Sequence, residues 1–228
     1  MGIKKEVIIG DCRLLLGDCL SIMPLLGKVD AVVTDPPYGV GIDYTYFSDD
    51  VASIQRVAIA AVTECISLFQ RVVITPGNKT CWLYPQPTHQ GVFFYPSGAG
   101  TCKWGFTCSQ PIFYYGDDPY LKAGKGSRPD SFRSTEHAEK NGHPCPKPIG
   151  QMLWLVKRAS LVHETILDPF MGSGTTGVAC AKMGRKFIGI ELDEDYFNIA
   201  CKRVEEAYKS PDMFIAAPPK KATQEKFI

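Results

Sequence analysis

Apolar residues change spacing repeatedly along this chain, and each change marks an element. Glu6 to Ile9 and Arg13 to Leu16 read as two short strands around a turn at Gly10-Asp11. After Asp18, Leu20, Met23 and Leu26 recur at three-residue spacing, which predicts a short helix from Cys19 to Leu26. Val29 to Thr34 is nearly continuous apolar sequence of strand length, the pattern of a strand covered on both faces. From Val51 to Phe69, Ile54, Val57, Ala58, Ala61, Val62, Cys65, Ile66 and Phe69 fall on one helical stripe. Arg71 to Thr75 predicts the next strand, stopped by Pro76-Gly77.

Periodicity fails from about Asn78 to Gly142, a stretch rich in Gly, Pro and aromatics. Only Gly91 to Tyr95 and Pro111 to Tyr115 look strand-like within it. Alternation then returns: a helix from Lys147 to Ser160, a strand Thr165 to Leu167, a helix Thr175 to Met183 and a strand Lys186 to Ile190. A last helix runs to Lys209 from an N-cap at Asp193. Strands alternating with helices predict an α/β fold, a doubly wound and mostly parallel sheet. Residues 78–142 would be an irregular insertion grafted on one end of it, and residues 211–228 a loose or docked tail.

With 228 residues the chain has room for one large α/β core, so residues 1–210 are taken as a single domain. Its net charge of +1 points to no partner unless charge is locally concentrated. Nine scattered cysteines without a C-x-x-C pair suggest reduced thiols, and with no signal-like N-terminus the expectation is cytoplasmic. No membrane is expected, because no stretch approaches the roughly 20 apolar residues of a span.

Two motifs carry candidate chemistry. Asp35-Pro36-Pro37-Tyr38 follows the buried strand directly. Consecutive prolines lead the chain out of the sheet along a fixed extended path. Such a corner can hold a planar group: Tyr38 offers a stacking face, while Asp35 and the Pro36 carbonyl can accept hydrogen bonds from an amine. Taken alone, a strand stopped by prolines explains it equally well. The second motif, Asp168-Pro169-Phe170-Met171-Gly172-Ser173-Gly174-Thr175-Thr176-Gly177, lies between a predicted strand and a predicted helix. Gly172, Gly174 and Gly177 satisfy G-x-G-x-x-G, and Glu191 stands where a ribose-binding acid belongs. A dinucleotide fits poorly, since Asp168 would oppose its pyrophosphate at a cost on the order of several kcal/mol. S-adenosylmethionine, with an ammonium and a sulfonium, would be attracted there instead. No Lys closes a phosphate-loop pattern.

With both motifs present, the chain resembles the DNA amino-methyltransferases, which methylate adenine N6 or cytosine N4, from about Asp11 to Tyr208. The motif order resembles the class called beta, and the match is close to its phage and prophage branch. Asp35, Pro36, Pro37 and Tyr38 look like the catalytic motif. Asp18 and Cys19 look like the cofactor-adenine element. His143 to Pro148, with Lys147, resembles the segment leading into the cofactor-side helix. Asp168, Pro169, Phe170, Gly172, Ser173, Gly174, Thr175 and Glu191 look like the methionine- and ribose-binding elements. The resemblance implies a Rossmann-like methyltransferase sheet, S-adenosylmethionine bound without metal, and residues 78–142 as a target-recognition insertion. Its chemistry is coherent: hydrogen bonds to Asp35, itself beside the cofactor, and to the Pro36 carbonyl favour a pyramidal amine, and catalysis is positioning and electrostatics. The base must be flipped from double-stranded DNA, with Tyr38 stacking on it. Asp at the first motif position resembles the adenine enzymes, so adenine N6 is favoured over cytosine N4. Family members often dimerise, which makes a homodimer compatible with the resemblance.

Other readings are weaker. Cys145 follows a proline as in cytosine C5 chemistry, but the remaining C5 elements are missing and a turn residue suffices. Cys81, Cys102, Cys108 and His143 match no standard zinc spacing. His89, His137 and His163 read as surface or structural, and Trp82, Trp104 and Trp154 as core or rim packing. The acidic segment with Asp43, Asp49 and Asp50 is either a closing flap or an ordinary loop. Residues 119–160 hold eight Lys or Arg against three acids. Within it, Lys122, Lys125, Arg128 and Arg133 are candidates for phosphate contact, against the alternative of a solvated loop. An idle DNA-binding relative, or an N-methyltransferase of RNA or protein, completes the alternatives.

Overall fold

The computed structural model describes residues 2–39, 41, 50–136 and 147–209. The expectations for Asp43 and Asp49, His137, His143 to Pro146 with Cys145, and the tail 211–228 lie outside these residues. In chain order, β1 (Lys5–Ile9) and β2 (Cys12–Leu16) form a hairpin, followed by α1 (Cys19–Ile22) with a short 3-10 turn and β3 (Ala31–Thr34). A long helix begins as α2 (Val51–Ile54), passes through a π turn over Gln55–Ile59 and ends as α3 (Ala60–Leu68). Then come β4 (Val72–Ile74), β5 (His89–Phe94), a small ribbon of β6 (Thr101–Cys102) and β7 (Gly105–Phe106), and β8 (Ser109–Tyr115). The chain continues through α4 (Pro119–Lys122), β9 (Phe132–Arg133), α5 (Ile149–Ala159), β10 (Thr165–Asp168), α6 (Thr175–Lys182), β11 (Lys186–Glu191) and α7 (Glu194–Lys209).

Nine strands form one sheet in the order β1-β2-β11-β10-β3-β4-β8-β5-β9. The five strands from β2 to β4 are parallel, joined by helices as the alternating pattern predicted. Side chains alternate between the two faces, which explains the continuous apolar runs. Ala31 and Val33 face α5, α6 and α7, with Met152, Leu155, Ala179, Phe197 and Val204. Val32 faces the other layer, with Ile22, Ala61, Val62 and Cys65. Burying a large side chain such as Phe187 or Phe197, each at most 1% exposed, contributes about 1.5–3 kcal/mol.

Two sequence expectations change here. The strands foreseen within 78–142 are part of the main sheet: β8 runs antiparallel against β4, and β5 pairs with β8. The run Val51–Leu68, 18 residues, does pass a membrane-span test of length and composition. In the fold it is a sheet-packing helix, with Ile54, Ala58, Ala61, Val62 and Cys65 fully buried. All eight described cysteines are free thiols.

The parallel register aligns the candidate site. Leu167 pairs with Val32 and Asp168 with Gly189, so the chain leaves β3, β10 and β11 at a common edge. Asp35, Asp168 and Glu191 stand there together, at the carboxyl ends of neighbouring strands, where ligands bind in open α/β sheets.

Candidate active site

Asp35 sits just past the end of β3, half-buried, where its carboxylate meets three donors. The hydroxyls of Tyr38 and Thr75 both donate to Oδ1, and Lys147 Nζ lies 3.4 Å from the same oxygen. Among the described residues Oδ2 takes no donor. Around this core, Gln110 Nε2 donates to the Tyr38 hydroxyl at 2.6 Å, and Lys147 Nζ donates to Gln110 Oε1 at 3.0 Å. The ammonium also lies 4.9 Å from the centre of the Tyr38 ring. The ring's other support is Gly77, with φ +72: a Cβ there would meet the ring at 2.8 Å. Burial, with the Asp35 charge, pushes the Tyr38 hydroxyl well above its ordinary pKa, so it stays a donor. In this conformer Tyr38 is turned toward Asp35 rather than presented as an open stacking face.

Asp168 ends β10 and is 2% exposed. Its Oδ1 accepts from Thr34 Oγ1 at 2.6 Å and from the Phe170 N–H at 3.1 Å, and Oδ2 accepts from Thr176 Oγ1 at 2.5 Å. One carboxylate therefore ties β3, β10 and α6 together. Burial outweighs those hydrogen bonds, with the Asp35 charge adding to it, and pushes the Asp168 pKa up to about 6. The glycine loop then turns over the strand end. Gly174 has φ +79, and a Cβ on it would lie 2.8 Å from Ala200 Cβ on α7, so the loop needs glycine there. Arg203 of α7 braces the loop by donating to the Ser173 carbonyl at 2.6 Å and to Thr175 Oγ1 at 3.1 Å.

Glu191 closes the third side. Its Oε2 accepts from the Gly172 N–H at 2.7 Å, and its Oε1 from Leu192 and Asp193 at 2.8 and 2.9 Å. Burial pushes its pKa up to about 7 despite these bonds. Asp18 caps α1, its Oδ2 accepting from Ser21 N and Oγ.

These groups line one cavity. Its wall includes Asp18, Cys19, Asp35, Pro36, Pro37, Tyr38, Lys147, Asp168, Pro169, Phe170, Gly172, Ser173, Thr175 and Glu191. Of the expected catalytic and cofactor positions only Gly174 is absent from the lining, because it faces α7. The cavity encloses about 1190 Å³ with its open mouth and adjoining solvent included. Sequence reasoning missed Val57 from the π turn, Met152 from α5, and Tyr196 from α7, which also line it. It missed as well the buried supports Thr34, Thr75 and Gln110. Thr34 and Thr75 stand at strand ends, a usable signal; Gln110 and Arg203 gave none. Among the described residues no cluster suited to a metal ion occurs.

The raised carboxylates predict a pH dependence. Folding raises the proton affinity of Glu191, so from its unfolded pKa up to about 7 the folded state holds a proton the unfolded chain has released. Its contribution to stability is thus present at low pH and lost as pH rises to about 7. Glu191→Gln removes this loss, so the stability of the variant relative to wild type should rise with pH and level off above about pH 7. Urea melts of both proteins across that range check it; a difference independent of pH would contradict the assignment.

The four basic candidates separate. Lys122, Lys125 and Arg133 are exposed. Arg128 is not a free phosphate ligand: its guanidinium donates to the Lys157 and Arg158 carbonyls at 2.6 and 2.7 Å and to Asp118 at 3.0 Å. It also stacks 3.5 Å from the Tyr120 ring centre. Arg128→Ala is therefore expected to destabilise the fold by about 2–4 kcal/mol, because Asp118 and two carbonyls lose donors. Thermal melts check this; unchanged stability with weakened DNA binding would restore the phosphate role. Of the tryptophans, Trp154 packs against Phe93 and Phe132, whereas Trp82 and Trp104 are 85% and 97% exposed, contrary to the packing expectation.

Comparison with known proteins places this geometry. A family model for N6 and N4 methyltransferases, described as DNA methylase, matches residues 77–202. The chain is 23% identical to the Type II methyltransferase M.HpaI of Haemophilus parainfluenzae, over 89% of this chain and 77% of that protein. It is 27% identical to M.ScaI of Streptomyces caespitosus, over 86% and 82% of the two chains. A shorter match, 44% identical, links 28% of this chain to 24% of M2.DpnII from Streptococcus pneumoniae. Among solved structures, the M1.HpyAVI–SAM complex aligns with a TM-score of 0.59 at 24% identity, over 84% of this chain and 99% of that one. PvuII DNA methyltransferase, described as cytosine-N4-specific, aligns at 0.62 and 14% identity, over 91% and 95%. At those identities the structural likeness concerns the fold.

Proposed function

This chain belongs to the DNA methylase family of N6 and N4 methyltransferases, and on that premise we propose that it methylates the exocyclic amine of a base flipped out of double-stranded DNA, with adenine N6 as the favoured target. The observation that carries the reading is the meeting of Asp35, Asp168 and Glu191 around one cavity at the carboxyl edge of the sheet. The cofactor it fits is S-adenosylmethionine, the molecule named in the M1.HpyAVI complex.

The donor set suits that group from end to end. Asp168 and the glycine loop offer a carboxylate and small residues to an ammonium-bearing tail. Glu191 can accept from ribose hydroxyls, and Asp18, Cys19 and Phe170 offer polar and apolar contacts to an adenine. Bound there, the cofactor supplies an electrophilic methyl group. Everything else is done by the chain. Asp35 Oδ2 and the Pro36 carbonyl accept hydrogen bonds from the target amine and orient its lone pair. Thr75, Lys147 and Tyr38 hold the carboxylate in place through Oδ1. Lys147 is thus assigned to Asp35 as much as to the cofactor. Tyr38 must turn away from Asp35 to stack on the flipped base, and Gln110 is the partner it leaves. Lys122, Lys125 and Arg133 are assigned to DNA phosphates.

Adenine is favoured on the aspartate that opens the first motif. The test is methyl transfer from labelled S-adenosylmethionine to unmethylated DNA, followed by digestion and mass spectrometry of the nucleosides. N6-methylated deoxyadenosine is the expected product. N4-methylated deoxycytidine would keep the mechanism and overturn the base; absence of any methylated nucleoside would overturn the function.

A further inference from the structure

The hairpin joining β5 to β8 has no part in the site described so far. Because β8 is antiparallel to β4, its first residues lie at the carboxyl edge of the parallel strands, beside Asp35. Phe94 pairs with Ser109, so residues 95–108 project from that edge as a ribbon. Its foot is tied to the catalytic corner: Tyr95 donates to Gln110 at 3.0 Å, and Asn78 donates to the Ser109 carbonyl at 2.8 Å. Its shaft is closed by Ala99 N–H to the Thr107 carbonyl at 2.7 Å and by the Thr101–Phe106 and Cys102–Gly105 pairs. The two-residue tip is Lys103-Trp104.

That tip is apolar without a core beneath it. Trp104 is 97% exposed and Phe106 79% exposed, on a ribbon whose residues 99–106 are all exposed. Exposed aromatics grouped on a projecting turn mark a binding surface. The charge around them selects the partner. The ribbon 95–108 contains no Asp or Glu, and Lys103 stands at its tip beside Trp104. Two copies meeting tip to tip would bring their Lys103 side chains together with no acid of the ribbon to oppose them. A polyanion with stacked rings meets both requirements, phosphates for the lysine and bases for the indole.

We infer that the 95–108 hairpin docks on the duplex that carries the target base, with Trp104 stacking on a base and Lys103 on a phosphate. The inference rests on the DNA-methylating function proposed above, and it adds a contact surface outside the cavity. A base stacked on the indole also compensates the stacking lost when a neighbour is flipped.

The test compares wild type, Trp104→Ala, Trp104→Phe and Lys103→Ala. Measurements are duplex affinity by anisotropy of a fluorescein-labelled DNA at several salt concentrations, kcat/KM for unmethylated genomic DNA, and S-adenosylmethionine affinity by calorimetry. Trp104→Ala should weaken duplex binding about ten- to a hundredfold with an unchanged salt slope, and Trp104→Phe should recover most of it. Lys103→Ala should flatten the salt slope by about one unit. Cofactor affinity and circular dichroism should not change, since nothing packs on the tip. Unaltered duplex affinity and kcat/KM in Trp104→Ala would overturn the inference, as would a loss of self-association on sedimentation, which would assign the tip to a second copy. A wild-type protein that binds cofactor yet neither binds nor methylates DNA would instead overturn the underlying function, and the inference with it.

Discussion

Asp35→Ala should lower methyl transfer by about three orders of magnitude while leaving S-adenosylmethionine affinity within a few-fold. The asymmetry follows from where the carboxylate points. Asp35 Oδ1 is held by Tyr38, Thr75 and Lys147, which leaves Oδ2 as the acceptor available to the proposed target amine. Alanine removes the acceptor that orients the amine, and it leaves Lys147 as an uncompensated ammonium beside the base. The contacts proposed for the cofactor, at Asp168, Glu191 and Asp18, come from other strands and would stay in place. Asp35→Asn is the control: it keeps the size of the side chain and an acceptor atom, and should recover only part of the rate because the charge is gone. Single-turnover transfer with calorimetric cofactor titrations measures both quantities. Equal losses in rate and cofactor affinity would mean that Asp35 builds the cofactor site rather than acting on the amine.

Replacing Asp168 should separate fold from binding. Asp168→Ala leaves the Thr34 and Thr176 hydroxyls and the Phe170 N–H without their acceptor in a buried place, and should destabilise the protein by roughly 3–5 kcal/mol. Asp168→Asn keeps an acceptor for Thr34 and Phe170, and its amide can donate to Thr176, whose hydroxyl can reverse. This variant should fold with near wild-type stability but bind S-adenosylmethionine about ten- to a hundredfold more weakly, having lost the charge that faces an ammonium. The wild-type carboxylate has a pKa of about 6, so its cofactor affinity should fall as pH drops below about 6. The asparagine variant should lack the step near pH 6 and keep only the one that Glu191 gives near pH 7. Melts of both variants and cofactor titrations against pH decide it. Wild-type affinity in Asp168→Asn would remove Asp168 from the cofactor's contacts and leave it a structural tie.

Gly174 illustrates how a motif residue can matter through packing. The G-x-G-x-x-G reading placed it with the cofactor, and the structure turns it toward Ala200. Arg128 carries the opposite lesson. Its position in a Gly- and Ser-rich, basic segment suited a phosphate contact, and the fold uses it to join Asp118 to the end of α5. Arginine serves either purpose, and only the presence of two carbonyls and a carboxylate within reach tells which.

The sequence by itself determined the order of helices and strands, the parallel core, and the two loops that carry Asp35 and Asp168. Those features depend on side-chain periodicity and on Pro and Gly, whose effects act over a few residues. The tertiary structure decided that β8 and β5 complete the sheet, that Thr75 and Gln110 surround Asp35 and Tyr38, that Arg128 is structural and that Trp104 stands in solvent. The first three outcomes pair residues distant in the chain, and a strand, a glutamine or an arginine has no local mark of the partner that folding brings to it; nor does an indole show in the sequence that folding brings it none.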